Sequence, residues 1–314
     1  MCSRSSKVFG TCSASIATAA SEVALTVGAG VVLDAALALP DGPGPHPALI
    51  ALHPAADRSR DQYLFRHLAT VLPPLGIAVL RYDRRGDDVP LEEQAADTAS
   101  AIARLRARGD IDAARIGLWG FSQGAWVAPL VASESHEVAF LVLVASTGVS
   151  PSEQMLYGTT KHARDAGFGL DAERGIVALR RTVDEWRRGN VTRDSAQAAV
   201  DIASGEPWFE HAWVQRSLGD GNWPNMDFDP EPVFSRVRVP VLLFYGDDDE
   251  WQPIERSMAA WRRAAARAAN DDVTIVRLAG TRHAPTLHGR EDGASIAPEY
   301  ERALVAWLEE RALR

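Results

Sequence analysis

One hexapeptide constrains the fold more than any other stretch: Trp119-Gly120-Phe121-Ser122-Gln123-Gly124. It is a G-x-S-x-G run between two segments of different character. Ala114 to Trp119 is short and apolar, suited to a buried parallel strand, and Ala125 to Ala132 suits a helix. A strand that turns directly into a helix has room only for small residues beside the serine, and Gly120 and Gly124 supply them. The turn lifts the Ser122 hydroxyl above the sheet edge and leaves the backbone N–H of Gln123 facing a reacting carbonyl oxygen. Small residues around a serine are common, so the bland reading is an ordinary glycine-bounded turn. The flanking strand and helix are what give the motif weight.

The rest of the chain repeats that strand–helix rhythm. Glu22 to Val27 and Val31 to Leu39 read as a hairpin around Gly28-Ala29-Gly30. Ala48 to Leu52 is a continuous apolar strand ending in His53-Pro54-Ala55-Ala56. A helix is expected from Asp61 to Val71, a strand from Gly76 to Leu80, and a helix from Pro90 to Arg108 with Glu92 and Glu93 in its first turn. Val138 to Ala145 reads as a strand, as do Val239 to Gly246 and Val273 to Leu278, with helices at Pro253 to Ala269 and Pro298 to Ala312. Such alternation implies right-handed crossovers and a mainly parallel sheet covered on both faces. From Gly148 to Val237 the pattern changes to helical stretches carrying Trp186, Trp208, Trp213 and Trp223. The expected organisation is therefore a tail over 1–21, a core over 22–147 and 238–314, and a mostly helical cap inserted at 148–237.

Composition narrows the partners. A length of 314 residues fits one large domain or a domain with an insertion, and 46% hydrophobic residues can fill its core. A net charge of −9 argues against nucleic acid and against an anionic membrane surface. No run approaches the roughly 18 apolar residues of a membrane-spanning helix. Both cysteines, Cys2 and Cys12, fall in the tail, so no disulfide and no cysteine metal cluster is expected in the core. That suits the cytoplasm. Secretion is the alternative, because Arg4 and Lys7 precede a mildly apolar stretch and Ala17-Thr18-Ala19 resembles a cleavage site, although Thr11, Ser13 and Ser15 interrupt it.

A serine hydroxyl is a poor nucleophile at neutral pH and needs a histidine to take its proton and an acid to orient that histidine. In open α/β sheets such groups sit on loops at the carboxyl ends of strands. Two downstream loops qualify: Gly246-Asp247-Asp248-Asp249-Glu250, and Ala279-Gly280-Thr281-Arg282-His283-Ala284-Pro285. Their order, nucleophile then acid then histidine, is the one this architecture uses. One carboxylate of the acidic run is needed and the others read as a solvated turn. The D-x-[DN]-x-[DN]-G spacing of a calcium loop is absent. His288 is the local rival of His283. His46, His67, His136, His162 and His211 fall away from expected strand ends and lack H-E-x-x-H spacing, so no metal is expected.

With these residues in place, the chain resembles the serine α/β-hydrolase superfamily, nearer its dienelactone-hydrolase-like and prolyl-oligopeptidase-like esterases, over about Glu22 to Arg314. The resemblance implies an oxyanion loop at His53-Pro54-Ala55-Ala56, where relatives have His-Gly, and an Asp-x-Arg-Gly segment at Asp83-Arg84-Arg85-Gly86. It selects Asp249 over Asp248 as the acid and makes His283 the base. Pro54 departs from the family's glycine and has no N–H to give. The resemblance then places the second oxyanion donor at Ala55, with Ala56 as the alternative if the turn is reshaped, and His53 in a supporting role. Arg84 and Arg85 read as an internal ion pair or as loop-holding groups more than as binders of a substrate carboxylate.

The implied activity is hydrolysis of carboxylic esters or related acyl compounds through Ser122, Asp249 and His283, without a cofactor. The substrate is expected to be a small acyl compound, apolar or aromatic if the tryptophans of the cap line its pocket instead of forming that segment's own core. A monomer or homodimer is expected. Acyl transfer, thioester or peptide cleavage could use the same groups. Haloalkane or epoxide chemistry would want Asp where Ser122 stands. A scaffold that kept the fold without the chemistry is the alternative from another class.

Overall fold

The computed structural model describes residues 20–313, so residues 1–19, with both cysteines and the cleavage-like segment, lie outside the described residues, while Ser21, expected in the tail, already opens the first strand by pairing with Leu37. The chain runs through β1 (Ser21–Thr26), β2 (Val32–Ala38), β3 (His46–Leu52), α1 (Tyr63–Val71), β4 (Ala78–Tyr82) and α2 (Leu91–Arg106). It continues with β5 (Ile111–Phe121), α3 (Gly124–Glu134) and β6 (Leu141–Val144). Four helices follow, α4 (Pro151–Asp165), α5 (Leu170–Arg187), α6 (Arg193–Ala203) and the short α7 (Glu231–Phe234). The chain closes with β7 (Val241–Gly246), α8 (Ile254–Ala268), β8 (Val273–Leu278) and α9 (Pro298–Arg311).

The strands form one eight-stranded sheet in the order β1-β2-β4-β3-β5-β6-β7-β8. The β1–β2 hairpin is antiparallel and joins antiparallel to β4, and every later pair is parallel. Period-two alternation explains why the central strands read as unbroken apolar runs. Ile50, Leu118, Leu143 and Leu243 enter one apolar layer, while Leu49, Trp119, Val142 and Leu242 enter the other. Covering both faces with helices leaves no face that a polar residue could occupy at low cost.

Two elements differ from the sequence reading for local reasons. β4 begins at Ala78, after a single turn of 3₁₀ helix at Pro73–Leu75 that Gly76 ends with φ 92°. β5 begins earlier than expected because Ile111 pairs with His46 beyond a register shift in β3.

Between β6 and β7 the chain builds helices with a core of their own, where Ile176, Leu179 and Val183 of α5 meet Ala196 and Val200 of α6 and Phe209. Ser150 and Thr192 cap α4 and α6 through their side-chain oxygens. α7 packs differently: Val233 and Phe234 join the layer against the sheet, with Phe234 stacked on Trp261 at 4.0 Å.

Because β4, β3, β5, β6, β7 and β8 lie side by side and parallel, their carboxyl ends face one edge of the sheet. The segments 53–56, 83–86, 122–124, 247–250 and 279–283 therefore emerge there together.

Candidate active site

At the end of β5 the backbone of Ser122 takes φ 53°, the left-handed region that L-residues occupy at a cost. The strain is held from both sides. The Ser122 N–H donates to the Val144 carbonyl at 3.0 Å, and the Ser122 carbonyl accepts from the Ala125 N–H at 2.9 Å. The two glycines are sterically required: a Cβ on Gly120 would lie 2.3 Å from the Gly124 carbonyl oxygen, and one on Gly124 would lie 2.4 Å from the Leu52 carbonyl oxygen. Gln123 is the N-cap of α3, so its N–H stands at the positive end of that helix.

The acid and histidine loops are zipped to each other. Asp247 N–H donates to the Leu278 carbonyl and Asp248 N–H to the Thr281 carbonyl, each at 3.0 Å. Gly246 allows the contact, since a Cβ there would fall 2.0 Å from the Arg282 carbonyl oxygen. His283 Nδ1 lies 3.1 Å from Asp249 Oδ1 and 3.0 Å from Oδ2. Asp249 is 1% exposed, and its Oδ1 also accepts the N–H groups of Trp251 at 2.8 Å and Gln252 at 3.0 Å. The neighbouring carboxylates are used elsewhere: Asp247 pairs with Arg277 at 2.6 Å, and Glu250 accepts the backbone N–H of His283 at 3.3 Å. Burial works against a charged His283, but the Asp249 carboxylate, by its charge and its hydrogen bond, holds the imidazole above its ordinary value. Among the described residues Ser122 Oγ makes no hydrogen bond to His283; both side chains line one cleft. His288 is exposed and lies outside that lining.

The loop after β3 is organised by Arg84. This guanidinium is 5% exposed and donates to the carbonyls of Pro54 and Ala55, each at 2.9 Å, to Gln123 Oε1 at 2.7 Å and to the Gly86 carbonyl at 2.8 Å. Arg85 turns the other way and forms a bidentate pair with buried Asp97, one arm at 2.8 Å. Neither arginine is among the residues lining the cleft. His53 lies 3% exposed behind the loop, its ring edge-on to Phe65 at 4.8 Å. Burial, then the charge of Arg84, push its pKa down to about 3, so it sits there neutral.

The cleft has a volume of about 660 Å³. Ala55, Ser122, Gln123 and His283 share its wall. The tryptophans of the inserted segment divide. Trp213 and Trp223 line the cleft, whereas Trp186 and Trp208 pack on the segment's own core. Trp251, which nothing in the sequence singled out, also lines it and meets Trp213 edge-on at 4.9 Å. Its place two residues after Asp249 was the available signal. Asp57 and Glu291 are the charged carboxylate side chains of the lining, which contains no lysine or arginine.

Among the described residues no group of three or more His, Cys, Asp and Glu is placed to hold a metal ion, and no helix is long and apolar enough to cross a membrane.

The model of the alpha/beta hydrolase family matches residues 59–295. Esterase EstD of Thermotoga maritima is 24% identical over 263 residues, covering 78% of this chain and 58% of that protein, so the chain spans little more than half the length of this curated relative. The Pyrococcus furiosus esterase Pf2001 superposes with a TM-score of 0.64 at 16% identity, covering 98% of this chain and 97% of that one. Est1E from Butyrivibrio proteoclasticus gives 0.58 at 16% identity, covering 93% and 99%. At such identities the two structures speak for the fold.

Proposed function

Because the chain belongs to the alpha/beta hydrolase family, we propose that it is a serine esterase that cleaves a small carboxylic ester with an apolar or aromatic acyl group. The observation that carries the reading is His283, held 3.0 Å from buried Asp249, in the wall of the cleft that Ser122 also lines from its left-handed turn. EstD and Pf2001, both named as esterases, point the same way.

The chemistry follows from the atoms. An ionised Asp249 can only accept, so His283 Nδ1 carries its proton toward it and Nε2 keeps a lone pair for Ser122. Ser122 Oγ attacks the ester carbonyl as His283 Nε2 takes its proton. The carbonyl oxygen becomes an oxyanion, which the N–H groups of Gln123 and Ala55 stabilise. Collapse breaks the ester C–O bond, and His283 returns the proton to the departing alkoxide. Water then attacks the acyl-Ser122 ester by the same route, giving the carboxylic acid and free Ser122. Asp249 keeps the tautomer correct throughout and offsets the charge on the imidazolium. Each oxyanion donor is worth about 10²–10³ in rate, because it acts where charge develops.

The test is labelling with a fluorophosphonate, with mass spectrometry to locate the adduct, on wild type and Ser122→Ala. Label on Ser122 that disappears in the variant supports the reading. A folded wild type that takes no label overturns it.

A further inference from the structure

We infer that Arg84 is a positioning residue for oxyanion binding: it fixes the Pro54–Ala55 peptide so that the Ala55 N–H faces the cleft, and it makes that N–H a stronger donor. The inference rests on the serine-esterase reading and deepens it.

The placement of the charge is the first observation. Arg84 is 5% exposed, yet its nearest carboxylate, Asp87, is 3.9 Å away with a side chain 72% exposed. Its three nitrogens are instead satisfied by three backbone carbonyls and one amide oxygen, all within 2.9 Å. A buried cation without a close counter-ion is a poor stabilising device, since desolvation opposes it and apolar side chains would fill the space at lower cost. A structural ion pair is therefore a weak account of it. Arg85 next door, with its fork on Asp97, shows the ordinary arrangement.

The second observation is the choice of acceptors. Pro54 O and Ala55 N belong to one peptide group, and in a trans peptide the C=O and N–H point in opposite directions. Drawing Pro54 O toward Arg84 turns the Ala55 N–H to the other side, where Ala55 lines the cleft. The hydrogen bond also pulls electron density toward the carbonyl oxygen, which strengthens the opposite N–H as a donor. Nη2 holds the next carbonyl, Ala55 O, so the peptide cannot flip by a compensating rotation. Nη1 also reaches Gln123 Oε1, and the backbone N–H of Gln123 is the other proposed donor. One planar guanidinium thus ties together the two segments that must converge on the oxyanion. Pro54 fits this scheme: it offers no N–H, but its fixed φ leaves the orientation of its carbonyl as the remaining freedom of the turn, and Arg84 sets it.

The experiment compares wild type, Arg84→Met, Arg84→Lys and Gln123→Ala. It measures kcat and KM on p-nitrophenyl esters, inhibition by a trifluoromethyl ketone, which forms a tetrahedral adduct with the serine, and thermal unfolding. Arg84→Met is expected to lose about 10²–10³ in kcat, the scale of one oxyanion donor. Its KM should stay within about threefold of wild type, as for an interaction made only in the transition state. Affinity for the trifluoromethyl ketone should fall in parallel with kcat/KM. Arg84→Lys keeps the charge but not the fork and should recover only a small part of the loss. Gln123→Ala keeps its backbone N–H, and it should lose roughly tenfold in kcat with KM unchanged, on the scale of one hydrogen bond. It carries the test if Arg84→Met fails to fold. Wild-type kcat in Arg84→Lys, in a folded Arg84→Met, or in Gln123→Ala where Arg84→Met does not fold, overturns the inference while wild type still labels at Ser122. Absence of label on wild type overturns the esterase reading and this inference with it.

Discussion

Trp251 and Asp249 are tied directly to each other: the backbone N–H of Trp251 donates to Asp249 Oδ1 at 2.8 Å, and the Trp251 indole walls the cleft beside Trp213. The carboxylate bonded to His283 and an aromatic surface of the cleft are thereby carried on one turn after β7. A change at either is expected to be felt at the other.

Asp249→Asn is the direct check on that turn. Asparagine can still accept the N–H groups of Trp251 and Gln252, so the turn should persist. Its amide, however, cannot support the imidazolium or hold the Nδ1–H tautomer. Steady-state kinetics should show kcat lower by about 10⁴ with KM little changed. A loss below tenfold would remove Asp249 from the mechanism.

The pH profile carries a signed expectation. His283 must be neutral to act as a base, and Asp249 holds its pKa above the ordinary imidazole value against the pull of burial. The acid limb of kcat/KM should therefore fall above that ordinary value, and in Asp249→Asn it should move down. Stability follows by linkage. A folded-state value raised above the unfolded one gives a contribution that is complete below the unfolded value and is lost as pH rises through the folded value. The melting-temperature gap between wild type and Asp249→Asn should thus be widest on the acid side of that window and narrow across it.

The elbow predicts its own intolerance. In Gly124→Ala the new methyl would sit 2.4 Å from the Leu52 carbonyl oxygen, a backbone atom of β3 that cannot swing aside. Overpacking of this kind costs about 1–3 kcal/mol, readable as a lower urea midpoint. Because Leu52 leads directly into the 53–56 loop, kcat should drop as well. A variant of wild-type stability and activity would mean that the Ser122 turn is looser than described.

The strand–helix rhythm was legible because each central strand is buried on both faces, which forces unbroken apolar runs such as Val142 to Val144 and Leu242 to Phe244. Loops at strand ends were legible for the same reason. What the sequence could not resolve was anything decided by convergence of distant segments. Asp248 and Asp249 differ by one position; the residues alone left both open and the family resemblance selected Asp249, but the pairing of the two loops, through Asp248 N–H and the Thr281 carbonyl, that brings this carboxylate to His283 was not legible. Arg84 could be read as loop-holding, but that its acceptors are the Pro54 and Ala55 carbonyls and Gln123 depends on three loops meeting. The four tryptophans of the insertion look alike in sequence and separate only when α5 and α6 pack, taking Trp186 and Trp208 and leaving Trp213 and Trp223 to the cleft.

Charge should bias substrate choice. Asp57 and Glu291 line the cleft and no lysine or arginine does, so an ester with a carboxylate on its acyl group is repelled by both carboxylates there. Both side chains are solvated, which keeps the effect modest. Neutral esters should exceed matched anionic ones by roughly two- to tenfold in kcat/KM at low salt, shrinking as salt is raised. Glu291→Gln should reduce the bias. Preference for the anionic ester would show that a cation from elsewhere in the chain reaches the substrate.

Trp213 offers the sharpest separation of function from stability. It is 57% exposed, and its backbone sits at φ 52°, so the fold gains little from the indole and holds it in an unfavourable conformation. The buried guanidinium of Arg180 maintains that turn by donating to the Trp213 carbonyl at 3.2 Å. A left-handed backbone costs an L-residue about 1–2 kcal/mol and glycine almost nothing. Trp213→Gly removes the indole and suits the turn, so its melting temperature should equal or exceed that of wild type. Activity should move the other way and selectively: kcat/KM for a benzoyl or phenylacetyl ester should fall by about tenfold, on the scale of a lost aromatic contact with its buried area, while an acetyl ester, too small to reach the indole, should change less than about twofold. A stable variant that treats both esters alike would take Trp213 out of substrate recognition and leave Trp251 and Trp223 as the aromatic wall.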